Sequence, residues 1–196
     1  MLIVRKLTFE KMWKHLRTIQ THRKWVRRYC FMAGIPWRGI KHDLSKYHPV
    51  EFFESARYWV GTSSPIVEAK KENGISYAWM HHKGHNSHHY EYWMDNFDDG
   101  GIRRLIPKND FVELVCDYLG AARAYMGKKF SYAGERDWWA KKRDHVSMNE
   151  QNKIMLDVIF NDLANVSTGS YDWMHTTPRM LLEDHYIQKI WEKYKD

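Results

Sequence analysis

The chain has 196 residues, a length typical of one domain with a sizeable hydrophobic core. Its formal net charge of +7 favours an anionic partner, either a phosphorylated small molecule or a nucleic acid, although a basic surface without a specific partner is equally compatible. No apolar run approaches the roughly 18 residues of a membrane span, and the first residues lack the pattern of a secretion signal. Because Cys30 and Cys116 both lie in apolar helical patterns, we expect no disulfide framework and a reduced, cytoplasmic protein without a membrane partner.

Apolar residues recur at intervals of three, four and seven along almost the whole chain, which predicts helices, and no alternation typical of strands persists. Capping residues, prolines and glycines indicate where these helices begin and end. In the first half we predict a long helix that Thr8 caps and Gly34 ends, followed by helices over 40–46 and 49–60. A further helix is predicted to start at Ser64-Pro65 and to be interrupted at Asn73-Gly74, with a second helical piece leading into His81-His82. A break over 84–87 and a helix over 88–96 follow.

The second half of the chain has the same character. In chain order we predict a loop over 98–101, a helix that Asn109 or Asp110 caps, a charged helix over 135–145, a helix after a capping box at 147–150 and a last helix from Thr177-Pro178. The chain is therefore predicted to be all-α. We expect one domain over 1–196, with a helical core over about 8–127 and C-terminal helices over about 135–194 that pack on it.

The 12 histidines are unevenly distributed, with five of them between His81 and His89. His22 follows Ile19 by three residues, so a helix places it on the core-facing side, where a lone histidine is more often a core residue than a ligand. Asp117 lies on another apolar helix face, where a carboxylate is costly unless it is paired or bound to metal. These residues, together with His42-Asp43, predict a metal site.

The order of these residues resembles the HD-domain superfamily of helical metal-dependent phosphohydrolases, over roughly residues 15–125. The resemblance includes Lys46, three residues after the Asp of the doublet. It implies a helical bundle whose first metal ion is held by His22, His42, Asp43 and Asp117. Asp43 would bridge to a second ion, held by His82 and by His88 or His89. Among the clustered histidines, His82 and His89 are the first choices and His88 the next. The segment 82–91 is also similar to a family of uncharacterised bacterial and phage proteins, from which no activity follows.

Imidazole and carboxylate ligands without thiolates suit Mn, Fe, Co, Ni or Zn, so we expect one or two divalent transition-metal ions. Asp43 and Lys46 are the expected catalytic residues, with a metal-bound hydroxide as nucleophile and the lysine steadying the substrate phosphate. The alternative interpretation of Lys46 is an ordinary solvated lysine. Arg123 is a weaker candidate for binding the substrate phosphate. Glu51 and Glu91 could orient ligand histidines or simply form helix ion pairs.

Three functions remain open. The first, which we favour, is a hydrolase of a nucleotide or another small phosphate ester. The second is a di-iron oxygenase, because some HD-fold proteins activate oxygen with four histidines and two aspartates. The third is a non-catalytic module with a structural metal, in which Trp138-Trp139 beside the basic residues 141–143 stack on bases rather than pack onto the core. The remaining histidines are expected to be structural or exposed: His15, His48, His145, His175 and His185.

Overall fold

The computed structural model describes residues 5–95, 101–169 and 176–196. Most of these residues are helical, which confirms the all-α class. The α-helices are α1 (Phe9–Met32), α2 (Pro36–Lys41), α3 (Pro49–Tyr58), α4 (Pro65–Asn73), α5 (Tyr77–His85), α6 (Lys108–Met126), α7 (Tyr132–Lys142), α8 (Glu150–Thr168), α9 (Pro178–Glu183) and α10 (Tyr186–Tyr194). Short 3₁₀ turns lie over Leu44–Tyr47, Tyr90–Trp93, Gly127–Lys129 and Arg143–His145, and the strands β1 (Met94–Asp95) and β2 (Ile102–Arg103) form an antiparallel pair.

Helices α1 and α6 pack closely and bring distant parts of the chain together. Thr8 caps α1 as predicted, since its hydroxyl oxygen accepts from the backbone N–H of Lys11. Gly120 of α6 lies directly against α1, where an added Cβ atom would come within 2.4 Å of the Val26 side chain. This close approach, about one helical turn from His22, places the middle of α1 beside the middle of α6.

The predicted helix over 40–46 is wrong. Helix α2 ends at Lys41, and the His42-Asp43 doublet forms a turn before the next 3₁₀ segment. Asp43 has a left-handed backbone, with φ 54° and ψ 31°. This conformation is uncommon for a residue other than glycine, although aspartate tolerates it better than most, and it often occurs at functional sites. The turn leaves the Asp43 side chain only 1% exposed.

The predicted helix over 88–96 is also wrong in its described part. Gly84 remains within α5, and the helix ends where the side-chain amide of Asn86 donates to the carbonyl oxygen of His82 at 2.7 Å. His88 and His89 lie in the turn that follows, before a 3₁₀ segment and β1. Pairing of β1 with β2 gives this segment hydrogen bonds that a helix would otherwise supply. Residue 96 and the predicted loop residues 98–100 lie outside the described residues.

Several helices begin or end at residues other than those predicted. Helix α6 begins at Lys108, so neither Asn109 nor Asp110 caps it, and the carboxylate of Asp110 pairs with Arg38 instead. Asn149, rather than a capping box at Ser147, caps α8 by accepting from a backbone N–H. The predicted last helix is two helices, because the chain turns at His185, which has a left-handed φ of 53°.

The C-terminal helices share one hydrophobic core with α1 and α6. Trp139, Phe160 and Ile187 belong to the same buried cluster as Val26 and Leu119. Both cysteines are free and buried, as expected from their apolar surroundings. Within the ranges that the structure describes, each helix is too short or too polar to cross a membrane.

Candidate metal centre

Side chains from α1, α6 and the doublet turn converge in the first ligand group, which consists of His22, His42, Asp43 and Asp117. The Nε2 atom of His22 lies 3.1 Å from Oδ2 of Asp43 and 3.1 Å from Oδ1 of Asp117. The Nε2 atom of His42 lies 3.2 Å from the same Asp43 oxygen and 3.4 Å from the same Asp117 oxygen. All of these residues are more than nine-tenths buried.

The second ligand group shares one residue with the first and consists of Asp43, His82, His88 and His89. Oδ1 of Asp43 lies 3.3 Å from Nε2 of His82 and 3.5 Å from Nε2 of His88. One donor atom of each residue in the group lies within 4.8 Å of all the others. Asp43 therefore turns one carboxylate oxygen toward each group, and both His88 and His89 lie at the centre.

The donor atoms are spaced as the ligands of metal ions are. Atoms bound to one ion at about 2.0–2.2 Å lie about 2.8–3.6 Å from one another in tetrahedral or octahedral geometry. The contacts of the first group, from 3.1 to 3.4 Å, match this spacing. In the second group, Oδ1 of Asp43 and Nε2 of His88 and His89 are buried without a hydrogen-bond partner among the described residues. Such atoms are rare unless a bound ion or water satisfies them, so both groups fit a metal ion.

Two buried glutamates contact the outer nitrogens of the ligand histidines. Oε1 of Glu113 lies 2.8 Å from Nδ1 of His42 and 3.3 Å from Nδ1 of His88, and Oε2 of Glu51 lies 2.7 Å from Nδ1 of His82. Because a carboxylate only accepts, each Nδ1 donates its hydrogen. The Nε2 lone pair of a neutral ring then faces the centre, which is the tautomer that metal binding requires.

The charges of the centre favour a bound cation. Burial by itself would raise the pKa of Asp43 and of Asp117. Neighbouring histidines hold the pKa of both groups well below the usual range, and Lys46 contributes to this at Asp43. Burial would lower the pKa of His42, yet the surrounding carboxylates raise it well above its ordinary value. A proton on His42 and a metal ion therefore compete for the same position.

A cavity of about 200 Å³, the inner cavity, is lined by residues of both ligand groups. Lys46 lines it with its Nζ atom 2.6 Å from Oδ2 of Asp43, and Asp43 and Asp117 outweigh burial and raise the pKa of the lysine. His15 of α1 lines it as well, is 6% exposed, and has a buried Nδ1 without a partner in the described part of the chain. Burial, followed by the charge of Lys46, lowers the pKa of His15 to about 4. The inner cavity thus combines a cation and a neutral imidazole.

Two other predicted residues make no hydrogen bond or ion pair with the ligand groups among the described residues. Arg123 donates to the hydroxyl of Tyr29 at 3.0 Å and lines a basic groove with Arg28 and Arg179. It does not line the inner cavity and belongs to neither ligand group. Glu91 is not joined to a ligand histidine by any hydrogen bond or ion pair within the described ranges, and burial raises its pKa.

His81 and His85 lie outside both ligand groups. Their rings stack at 4.0 Å, and the ring of His81 also stacks on His48 at 4.3 Å. Nδ1 of His81 lies 2.6 Å from Oε1 of Glu51, so this glutamate supports two histidines rather than a helix ion pair. Three of the five clustered histidines therefore reach the centre. Of the histidines outside the predicted pattern, the exposed ones are His48, His145 and His185, and residue 175 lies outside the described residues.

Two residues of the centre were not predicted. Glu113 precedes Asp117 by four residues, and His15 precedes His22 by seven, so each lies on the same helix face as a ligand. That spacing was visible in the sequence and is the signal that could have identified them.

The comparisons place the chain by family rather than by activity. A family model described as "Family of unknown function (DUF5662)" matches residues 11–163, a segment that contains both ligand groups. No curated protein and no solved structure matches the chain.

Proposed function

The chain belongs to DUF5662, a family of unknown function, and we propose that it is a metal-dependent phosphohydrolase acting on a nucleotide or another small phosphate ester. The resemblance of its ligand order to HD-domain phosphohydrolases supports this proposal. The observation that carries it is the position of Asp43, whose two carboxylate oxygens face separate sets of buried histidine nitrogens. A bridging carboxylate between two cation sites is an arrangement suited to phosphoryl chemistry.

The two ligand groups determine which ions are candidates. Nitrogen-rich sites favour Mn, Fe, Co, Ni or Zn over Mg and Ca, which prefer oxygen ligands. Asp117, with His22, His42 and Asp43, would hold one ion, and the second ligand group would hold the other. Such ions lower the pKa of a coordinated water and offset the charge of phosphoryl oxygens.

The chain itself supplies two further groups at the inner cavity. Lys46 brings a positive charge, which would stabilise the negative charge that develops on a phosphoryl group. His15 presents a neutral ring whose Nδ1 has no partner in the described part of the protein, and we assign it a hydrogen bond to the substrate. Both residues line the inner cavity together with His22 and Asp117 of the first ligand group, and this cavity is where we place the phosphate ester.

Two alternatives remain. A di-iron oxygenase acting on a small polyol or phosphonate fits the ligand types, and a cationic lysine in the inner cavity is compatible with it, so the assays below are needed to separate it from a hydrolase. A nucleic-acid module that stacks bases on Trp138-Trp139 conflicts with the burial of Trp139, which is 2% exposed and donates its Nε1–H to Asp157 at 2.7 Å.

The test is phosphate release from a panel of nucleotides and sugar phosphates, after removal of metal and reloading with Mn, Fe, Co, Ni or Zn. We expect turnover with at least one metal, loss of turnover in Asp43→Asn, and full turnover in His145→Ala, which alters an exposed histidine outside both ligand groups. Oxygen uptake by the iron form without any phosphate release would overturn the proposal in favour of the oxygenase. If neither phosphate release nor oxygen uptake is detected, the proposal is overturned in favour of the binding module. Such a module would bind nucleic acid with an affinity that depends on salt concentration.

A further inference from the structure

A second and larger cavity, the outer cavity, adjoins the inner cavity and has a volume of about 560 Å³. We propose that the outer cavity binds a planar heterocycle of the nucleobase type, and that Glu135 hydrogen-bonds to the edge of that heterocycle. The inference rests on the proposed function, since the heterocycle would be the part of the phosphate ester that does not react.

The two cavities share part of their lining beside the metal centre. Ser64, Asp117, Ala121 and Tyr125 line both of them. In the arrangement we propose, the phosphate lies in the inner cavity beside Asp117 and the other end of the same molecule extends past these shared residues into the outer cavity. The volume of the outer cavity lies within the range of small-molecule sites, roughly 300–1,000 Å³.

The walls of the outer cavity suit a flat ring. Aromatic side chains from α6 and α7 and the segment between them line it, namely Tyr118, Tyr125, Phe130 and Trp138. The Trp138 ring is 41% exposed, in contrast to Trp139, and its centroid lies 5.5 Å from that of Tyr118. Stacking on aromatic rings stabilises any nucleobase, because every base has a π face.

Glu135 of α7 is the polar group that discriminates between occupants. Its side chain lines the outer cavity and is 7% exposed, yet no hydrogen bond or ion pair engages its carboxyl group within the described residues. Burial, with a contribution from the charge of Asp117, raises the pKa of Glu135 to about 8. A neutral carboxyl group offers a donor beside an acceptor, which complements the edge of a nucleobase. An alkyl chain in the same place would leave this buried group unpaired, which is unfavourable.

The mouth of the outer cavity is basic. Lys129 and Lys142 line it and are exposed, and the Nζ atom of Lys142 lies 5.4 Å from the Trp138 ring centroid. These charges attract an anionic ligand such as a nucleotide rather than a neutral apolar molecule.

The test uses nucleosides, which carry no phosphate and report on the outer cavity alone. Binding of adenosine, guanosine, uridine and cytidine to the full-length protein would be measured by calorimetry, with ribose 5-phosphate as the probe that lacks a base. We expect at least one nucleoside to bind. We expect Glu135→Leu to weaken nucleoside binding about tenfold or more, because a buried hydrogen bond is lost. Glu135→Gln keeps a donor and an acceptor and should retain nucleoside binding.

Trp138→Ala provides a second variant, with Trp13→Ala, an exposed tryptophan of α1, as its matched control. We expect Trp138→Ala to weaken nucleoside binding and Trp13→Ala to leave it unchanged. Failure of every nucleoside to bind, or equal binding by wild type and Glu135→Leu, would overturn the inference. The result is separable from the proposed function: sugar-phosphate hydrolysis without nucleoside binding removes only the inference, and nucleoside binding without hydrolysis removes only the proposed function.

Discussion

Glu113 accepts a hydrogen bond from Nδ1 of His42 at 2.8 Å. The other carboxylate oxygen of Glu113 accepts from Nε of Arg38 at 2.6 Å, so an ion pair between α2 and α6 holds the glutamate in place. Burial would raise the pKa of Glu113, but its contacts with His42 and His88 lower it to about 2. Glu113 is thus a carboxylate at neutral pH and sets the orientation of two ligand histidines.

Glu113→Gln should weaken metal binding about 10- to 100-fold without changing the number of ions bound. The amide keeps the size of the side chain but loses the charge that holds His42 in the correct tautomer. Titration against a competing chelator would measure the affinity, with Glu10→Gln as the control at an exposed glutamate of α1. An unchanged affinity would show that Glu113 does not position the ligands.

Asp43→Ala should abolish metal binding and leave most of the helix content intact, because no neighbouring carboxylate can face both ligand groups. Mass spectrometry would give the metal content and circular dichroism the helix content. Asp43→Asn separates ligand loss from backbone strain, since asparagine also tolerates the left-handed conformation of this residue. Full metal occupancy in either variant would rule out the bridging position.

His82→Ala or His89→Ala should lower the metal stoichiometry from near two toward one, because each removes a ligand of the second group alone. His22→Ala should reduce metal content partially, since other ligands of the first group remain. His85→Ala is the matched control from the same histidine cluster, because this side chain is exposed and lies outside both groups. A wild-type protein that saturates with one ion would contradict the prediction.

Lys46→Ala should leave metal content unchanged and reduce turnover of the phosphate ester. Loss of one charge-assisted contact in a partly dry site costs about 2–4 kcal/mol, or roughly thirty- to a thousand-fold in rate. Metal content needs to be measured in the same preparation, because Lys46 also pairs with Asp43. Lys189→Ala, at an exposed lysine of α10, is the control. Undiminished turnover would remove Lys46 from the mechanism.

Glu135→Gln should remove a loss of stability that the wild type undergoes as the pH rises from about 6 to about 8. The folded state raises the pKa of Glu135 from 4.5 to about 8, so its stabilising contribution is complete below pH 4.5 and is lost as the pH rises to about 8. Glutamine does not titrate. Between about pH 6 and pH 8 the free energy of unfolding of the wild type should fall by about 2 kcal/mol relative to that of the variant. This corresponds to a decrease of roughly 4–8 °C in Tm. Thermal melts in chelator would measure this difference, and parallel pH curves would contradict it.

The sequence by itself determined the fold class, most helix positions and the residue types of the candidate site. Thr8, Pro49 and Thr177 mark helix starts because capping acts on the backbone within a few residues. The apolar face around His22 could likewise be read from spacing, since helical periodicity is local.

Only the tertiary structure decided how these residues meet. His42 and Glu113 are separated by 71 positions, and no local pattern indicates that one orients the other. The structure has a left-handed turn at Asp43 where a helix was predicted, and in this turn each carboxylate oxygen of Asp43 faces a different ligand group. The burial of Glu135 depends on the packing of α7 beside α6. Glutamate is usually exposed to solvent, but at this position the side chain is buried and its carboxyl group lines the outer cavity.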